Sequence, residues 1–158
     1  LVENQVRFVE VIYGGWDMHN EIFNNLETRA AVLDQGLSSL LLDLNRRGLL
    51  SETMVVVVSE FGRTPAIKSG RNGRDHHPYG FSAFLAGGGV RGGKTIGATD
   101  DFGFAAIDDK VHVNDLHATM LGLAGIDHEE LTYLFEGRYR RLTDVGGQNN
   151  LAGRLVRG

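Results

Sequence analysis

An α/β domain, with a mixed sheet layered between flanking helices, is what this sequence predicts, and three stretches carry the prediction. Residues 54–59, MVVVVS, set four valines in a row, the unalternating apolar run of a strand covered on both faces. Residues 6–13, VRFVEVIY, are rich in β-branched and aromatic side chains and end at Gly14-Gly15, which reads as a buried strand with a sharp exit. Between these two runs the period changes. Leu26, Ala30, Leu33, Leu37, Leu40, Leu41 and Leu44 recur at spacings of three and four, the signature of one face of a long helix. Strand, helix and strand around a valine run define a layered domain.

Taken along the chain, Asn24 with Glu27 three residues later makes a capping-box-like helix start, and Gly48 after Arg46 and Arg47 stops the helix. The valine run is the candidate central strand. Nineteen residues, 61–79, then follow, dominated by Gly, Arg, Asn, Asp and His, before a third strand at 81–86, FSAFLA. A loop of that length without structure of its own is functional or disordered. It carries no helical pattern, so the third strand is expected to return antiparallel beside the valine strand. A turn-rich stretch to Lys110 holds a short hairpin around 95–98. Asn114 caps a second helix with Leu116, Met120, Leu121 and Leu123 apolar and Gly125 closing it, and 129–134 add one more turn. Residues 1–137 thus form the domain, and the Gly, Asn and Arg-rich residues 138–158 a surface tail.

The bulk numbers set limits. The 158 residues are 42% hydrophobic and 23% charged, which suffices for one globular core. A net charge of -4 with no run of basic residues leaves nucleic acid without an electrostatic footprint. No cysteine is present, so disulfides and thiolate metal sites are excluded, while the compartment stays open. No apolar run reaches the roughly eighteen residues of a membrane span. Leu1 stands where a start Met would, and residues 1–4 run straight into the first strand, which reads as a processed product or a fragment.

Ligands in open α/β sheets sit outside the carboxyl ends of the strands, and GGWDMH and SEFGR are two such exits. Those exits and the long loop supply Asp17, His19, Glu60, Asp75, His76 and His77. Oxygen and imidazole ligands without sulfur suit zinc, manganese or non-haem iron, with magnesium or calcium suited if the carboxylates dominate. Hydrolysis of a phosphate or sulfate ester gains most from such a cation, which neutralises equatorial oxygens and acidifies a bound water. Arg63, shortly after Glu60, offers a planar fork to an oxyanion. Plainer roles compete: Asp-x-His is common in Asx turns, Arg74-Asp75 reads equally as a local ion pair, and Trp16 is a core residue more often than a shield.

One further pattern is met without its context. Residues 88–95, GGVRGGKT, satisfy the spacing of a phosphate-binding loop after a strand. Such a loop must open a helix, and residues 96–103 contain two glycines and no helical period. Lys94 is expected to lie exposed in a turn.

In order, GGWDMHN, VVVVSEFGRTP, GRDHHP, FLAGGGVRGG, VNDLHATMLGLAGIDH and RLTDVGG span nearly the whole chain. This series resembles the C-terminal part of the DUF1501 proteins, a sulfatase-like group related to the alkaline phosphatase superfamily. The resemblance implies an alkaline phosphatase-like fold, incomplete on its N-terminal side, and a metal-dependent hydrolase of phosphate or sulfate esters on small molecules or sugars. Asp17 and His19 resemble an Asp and a His that bind one metal after a strand. Glu60 stands where many members have a metal-binding Asp, and His76, rather than His77, resembles the later His that returns to the same centre. The cation implied is zinc or manganese, with magnesium or calcium as substitutes. Glu60-Phe61 departs from the Asp-His that superfamily members often show there, which removes an imidazole from a two-metal arrangement. The superfamily's nucleophile lies upstream of these motifs, and neither Ser59 nor Thr64 takes its place. The partner implied is therefore the missing N-terminal half of the same domain, without which this chain is inactive, and the location implied is periplasmic or exported. The rival expectation is a non-catalytic binding or surface-assembly module that keeps the fold.

Overall fold

The structure is a computed structural model and describes residues 1–143 and 151–155. After a short 3-10 turn at Val2–Asn4, the chain runs extended to helix α1 (Ile22–Arg46). A second 3-10 turn, Leu49–Ser51, leads to strands β1 (Val55–Val57), β2 (Gly62–Arg63), β3 (His76–His77), β4 (Phe84–Ala86), β5 (Ala98–Thr99) and β6 (Ala106–Asp108). Helix α2 (Val113–Leu123), strands β7 (Thr132–Phe135) and β8 (Arg138–Arg141), and the single turn α3 (Ala152–Leu155) follow.

Helix α1 begins two residues before the expected Asn24, and its cap is not the Asn24–Glu27 box. Glu21 holds the N-cap in a left-handed conformation (φ 48°) with no side-chain cap. The backbone of the 61–79 loop does the capping instead: the Glu21 N–H donates to the Arg71 carbonyl at 3.1 Å and the Ile22 N–H to that of Asn72 at 2.9 Å. These amides are among the donors that a helix start leaves without intrahelical partners. The helix is thereby docked on the loop that later carries the histidines. Its far end stops at Gly48 (φ 74°) as expected, with Arg47 bonded to Asp43 at 2.9 Å and to Glu3 at 2.6 Å.

The strands do not assemble into a layered mixed sheet. Among the described residues they form four separate two-stranded antiparallel pairs: β1 with β4, β2 with β3, β5 with β6 and β7 with β8. The fold is thus α/β only in the general sense of mixed helices and strands. The antiparallel return is present, with Val55 opposite Ala86 and Val57 opposite Phe84. The valine strand, expected to be central, has this one neighbour among the described residues, and Val58 is exposed.

Residues 6–13, expected to be a buried strand, form no strand pairing among the described residues, and Phe8, Val11 and Ile12 are 77%, 84% and 85% exposed. The composition is that of a strand, but a strand also needs a neighbour's N–H and C=O groups, and no other described segment offers them. Among the described residues the buried apolar ones are Met18, Ile22, Leu44, Val90 and Ala118. The accessible surface of 11330 Å² compares with about 7,800 Å² for a folded monomer of 17.3 kDa. The chain leaves an unusual share of its apolar surface in water.

Helix α2 is capped by His112, whose ring accepts the Asn114 N–H at 3.1 Å while Asp115 accepts the His112 N–H at 2.8 Å. It ends at Gly125 as expected, with Ile126 N–H to Leu121 C=O (2.9 Å) and Gly125 N–H to Gly122 C=O (3.1 Å) closing a Schellman motif. The further turn expected over 129–134 closes earlier, the Leu131 N–H donating to the Asp127 carbonyl at 3.0 Å, and Thr132 onward is instead β7, joined to β8 by Glu136 and Gly137, both with positive φ, as a tight hairpin requires. The segment read as a tail therefore opens on a strand, and its residues 144–150 and 156–158 lie outside the described residues. Lys94 is exposed after a turn and donates to the Arg154 carbonyl at 2.9 Å. The motif at 88–95 leads to β5 and opens no helix.

Candidate metal centre

The 61–79 segment is more ordered than an irregular loop. Gly62 pairs with His77 and Arg63 with His76, and Thr64 continues the ladder, its N–H donating to the Asp75 carbonyl at 2.9 Å. Lys68 and Gly73 form a further bridge, and the Arg74 guanidinium binds the Thr64 and Pro65 carbonyls at 2.6 Å each. A short ladder needs no long apolar run when side-chain bonds close its turn, which is why alternation gave no sign of it.

Side chains alternate along a strand, and directly opposed residues share a face. His76 and Arg63 accordingly stand together on one face of this hairpin, and His77 points to the other. There His77 is buried, with Nε2 donating to the Phe104 carbonyl at 2.7 Å. Phe61, two residues before Arg63, joins the first face: its ring lies 4.4 Å from that of His76 and 5.7 Å from the Arg63 guanidinium carbon.

The extended segment before α1 brings Asp17 and His19 to this face. Its main chain is bonded to the hairpin, the Arg74 N–H donating to the Met18 carbonyl at 3.2 Å. Met18 is buried, so its neighbours Asp17 and His19 are turned outward. Asp17 Oδ1 lies 2.8 Å from His76 Nε2 and 3.0 Å from His19 Nε2, and the two imidazole nitrogens are 3.2 Å apart. Donor atoms about 2.1 Å from one cation stand about 3.0 Å apart in an octahedron and about 3.4 Å apart in a tetrahedron. The triangle matches the donor set and approaches the spacing of a divalent cation site. Three lone-pair atoms this close repel unless a proton or a cation lies among them.

Charge around the triad is arranged as two pairs. Arg63 Nη1 donates to Asp17 Oδ1 at 2.6 Å, and the His76 hydrogen bond followed by that of Arg63 lowers the Asp17 pKa from 3.8 to about 2. On the far side, His19 Nδ1 lies 3.0 Å from Asp75 Oδ1, which also accepts from Lys68 Nζ at 3.0 Å. Asp75 is held below the usual carboxylate range, chiefly by Lys68, with His19 also contributing. The site is open: the Asp17 and His76 side chains are 62% and 48% exposed. A small ligand could reach the triad from solvent.

Asp17, His19 and His76 of the expected ligands come together, with Arg63 beside them. Glu60 does not join them; it is exposed in the bend after β1 and offers no ligand atom to the cluster. A strand exit turns sharply, so nearness in sequence to Phe61 and Arg63 does not carry the Glu60 carboxylate to their face. Lys68 and Gly73, which hold Asp75 and admit the His19 main chain, had no signal in the sequence beyond their place in a polar loop.

Fold and site together define an α/β protein with a solvent-facing group of two histidines and one carboxylate. Over residues 1–153 the chain matches the family model described as "Protein of unknown function (DUF1501)", and it belongs to that family. No curated protein and no solved structure matches it.

Proposed function

We propose that this chain supplies the cation-holding portion of a metal-dependent hydrolase of phosphate or sulfate esters, with Asp17, His19 and His76 as ligands and Arg63 as anion partner. The triad of donor atoms within 3.2 Å of one another is the observation that carries this reading. A divalent cation held there, zinc or manganese by its donor set, would supply Lewis acidity toward an ester oxygen and acidify a bound water. Arg63 suits the anionic end of a substrate, because its guanidinium is fixed over Phe61 and already engages an oxygen beside the triad.

The nucleophile is assigned to polypeptide outside these residues. Ser59 Oγ donates to the Phe61 carbonyl at 2.8 Å and Thr64 Oγ1 to that of Ala66 at 2.9 Å, so neither nearby hydroxyl is aimed at the triad. Orientation of a nucleophile is worth roughly 7–11 kcal/mol of barrier, which ligands alone do not replace. The exposed residues 6–13, without a strand partner among the described residues, support the same division, since they present an extended apolar segment ready for partners from the rest of such a domain.

The test is turnover of aryl phosphate and aryl sulfate over a series of divalent metals, by this chain and by a longer parent protein that carries it. Metal-dependent turnover by the parent and none by the chain is expected. Equal turnover would place the nucleophile within these residues. No turnover by either, with cation binding intact, would favour a non-catalytic metal-binding module.

A further inference from the structure

We infer that Asp75 is a positioning residue for His19, fixing the ring tautomer that turns the Nε2 lone pair toward Asp17 and His76; this rests on the reading of that triad as a cation site. The two nitrogens of an imidazole point out of opposite edges of the ring. His19 presents Nε2 to Asp17 Oδ1 at 3.0 Å and to His76 Nε2 at 3.2 Å, and Nδ1 to Asp75 Oδ1 at 3.0 Å. Asp75 therefore cannot share a cation with His19 Nε2, and it is no part of the ligand cluster. Of the two carboxylates near the ring only Asp75 meets it with hydrogen-bond geometry, the Asp17 contact being an ion-pair distance alone; a carboxylate only accepts, so the Asp75 contact puts the proton on Nδ1 and leaves Nε2 free to donate its electron pair. Free imidazole favours the opposite tautomer slightly, so the choice needs a partner, and histidine ligands commonly owe theirs to such a carboxylate.

Asp75 is itself fixed. Its N–H donates to Thr64 Oγ1 at 3.1 Å and its C=O accepts the Thr64 N–H at 2.9 Å, extending the β2–β3 ladder by one residue. Lys68 Nζ binds the same Oδ1 at 3.0 Å from the solvent side. As neighbours on one strand, Asp75 and His76 point to opposite faces, and the His19 ring reaches both. One hairpin thus supplies a ligand and, from the adjacent residue, the group that orients a second ligand on another segment.

The experiment has one arm without metal and one with it. In the metal-free protein at pH 8, nitrogen-15 chemical shifts should show His19 protonated on Nδ1, and Asp75→Ala should move the population toward protonation on Nε2. Cobalt(II) titration, followed by its visible absorption, should show affinity falling about 10–100-fold in Asp75→Ala, and the spectrum should be lost in His76→Ala. Asp75→Asn guards against a folding defect: its amide oxygen still accepts the Nδ1 proton, so the tautomer should persist and affinity stay within a few-fold of wild type. An unchanged tautomer and unchanged cobalt affinity in Asp75→Ala, or loss of the tautomer in a folded Asp75→Asn, would overturn the inference. If the wild-type protein bound no cobalt, the cation reading would fall, and the metal-free arm would still decide whether Asp75 orients His19.

Discussion

Gly73 lies directly against the main chain of His19: a Cβ placed on it would stand 2.1 Å from both the carbonyl carbon and the carbonyl oxygen of His19. Backbone cannot yield as the end of a long side chain can, so Gly73→Ala must displace the Asp17–His19 segment from the hairpin. Overpacking of this kind costs typically about 1–3 kcal/mol. We expect that loss in denaturant melts, with weaker cobalt binding alongside. An alanine variant as stable and as tightly binding as wild type would show that the two segments do not touch.

Arg63 binds Asp17 but is not itself a ligand, and this separates two measurements. Arg63→Ala removes the second-largest cause of the low Asp17 pKa, which should rise from about 2 toward 3.8. Because that folded-state pKa is depressed, the associated stability is present above the unfolded value and lost as pH falls toward 2; the variant loses it at a higher pH. Cobalt affinity near neutrality should be kept or improved, since a competing cation has gone, whereas ester turnover by the parent protein should fall. Abolished cobalt binding in a folded Arg63→Ala would make Arg63 necessary to the site itself.

Asp100 organises the connection between β5 and β6. Its carboxylate accepts the N–H groups of Phe102 and Phe104 at 3.0 Å and of Ala105 at 2.9 Å, and these bonds, that of Phe104 foremost, lower its pKa. The sign follows: Asp100 stabilises the fold above the ordinary carboxylate range, and the effect is lost as pH falls through its lowered pKa. Asp100→Asn should be less stable than wild type at pH 7, and the gap should narrow below about pH 4. A gap that stayed constant from pH 7 to pH 3 would contradict an ionised Asp100 as the anchor.

The unpaired segment at 6–13 should make the isolated chain self-associate, since exposed apolar strands pair with one another. Val11→Lys with Ile12→Lys, at the two most exposed of its apolar positions, should shift light scattering toward monomer without altering cobalt binding. Wild-type chain that stays monomeric at high concentration would mean that this segment is shielded in solution.

Periodicity located α1, the β1–β4 return and α2, because helices and buried strands repeat their apolar residues at fixed intervals. It misjudged 6–13 for a physical reason: β-branched composition describes how side chains would pack, and only a neighbouring chain makes a strand. The turn expected over 129–134 overlaps the first three residues of β7, where the aromatic content and the Glu136-Gly137 turn are the better guide. At the site, Asp17, His19 and His76 were legible as donors near strand exits. Glu60 was not separable from them, since facing is set by the two-residue hairpin pairing of Arg63 with His76. Asp75 was visible as a donor but not as the partner of His19 Nδ1, a relation 56 residues apart in sequence.

That Asp17, His19 and His76 hold one divalent cation is tested most directly by anomalous X-ray scattering from crystals grown with zinc or manganese. The expected result is a single peak about 2.0–2.3 Å from an Asp17 carboxylate oxygen, His19 Nε2 and His76 Nε2, with Glu60 outside the coordination shell. A map without a peak among these three atoms, or with the cation bound through Glu60 and away from His19, would contradict the assignment.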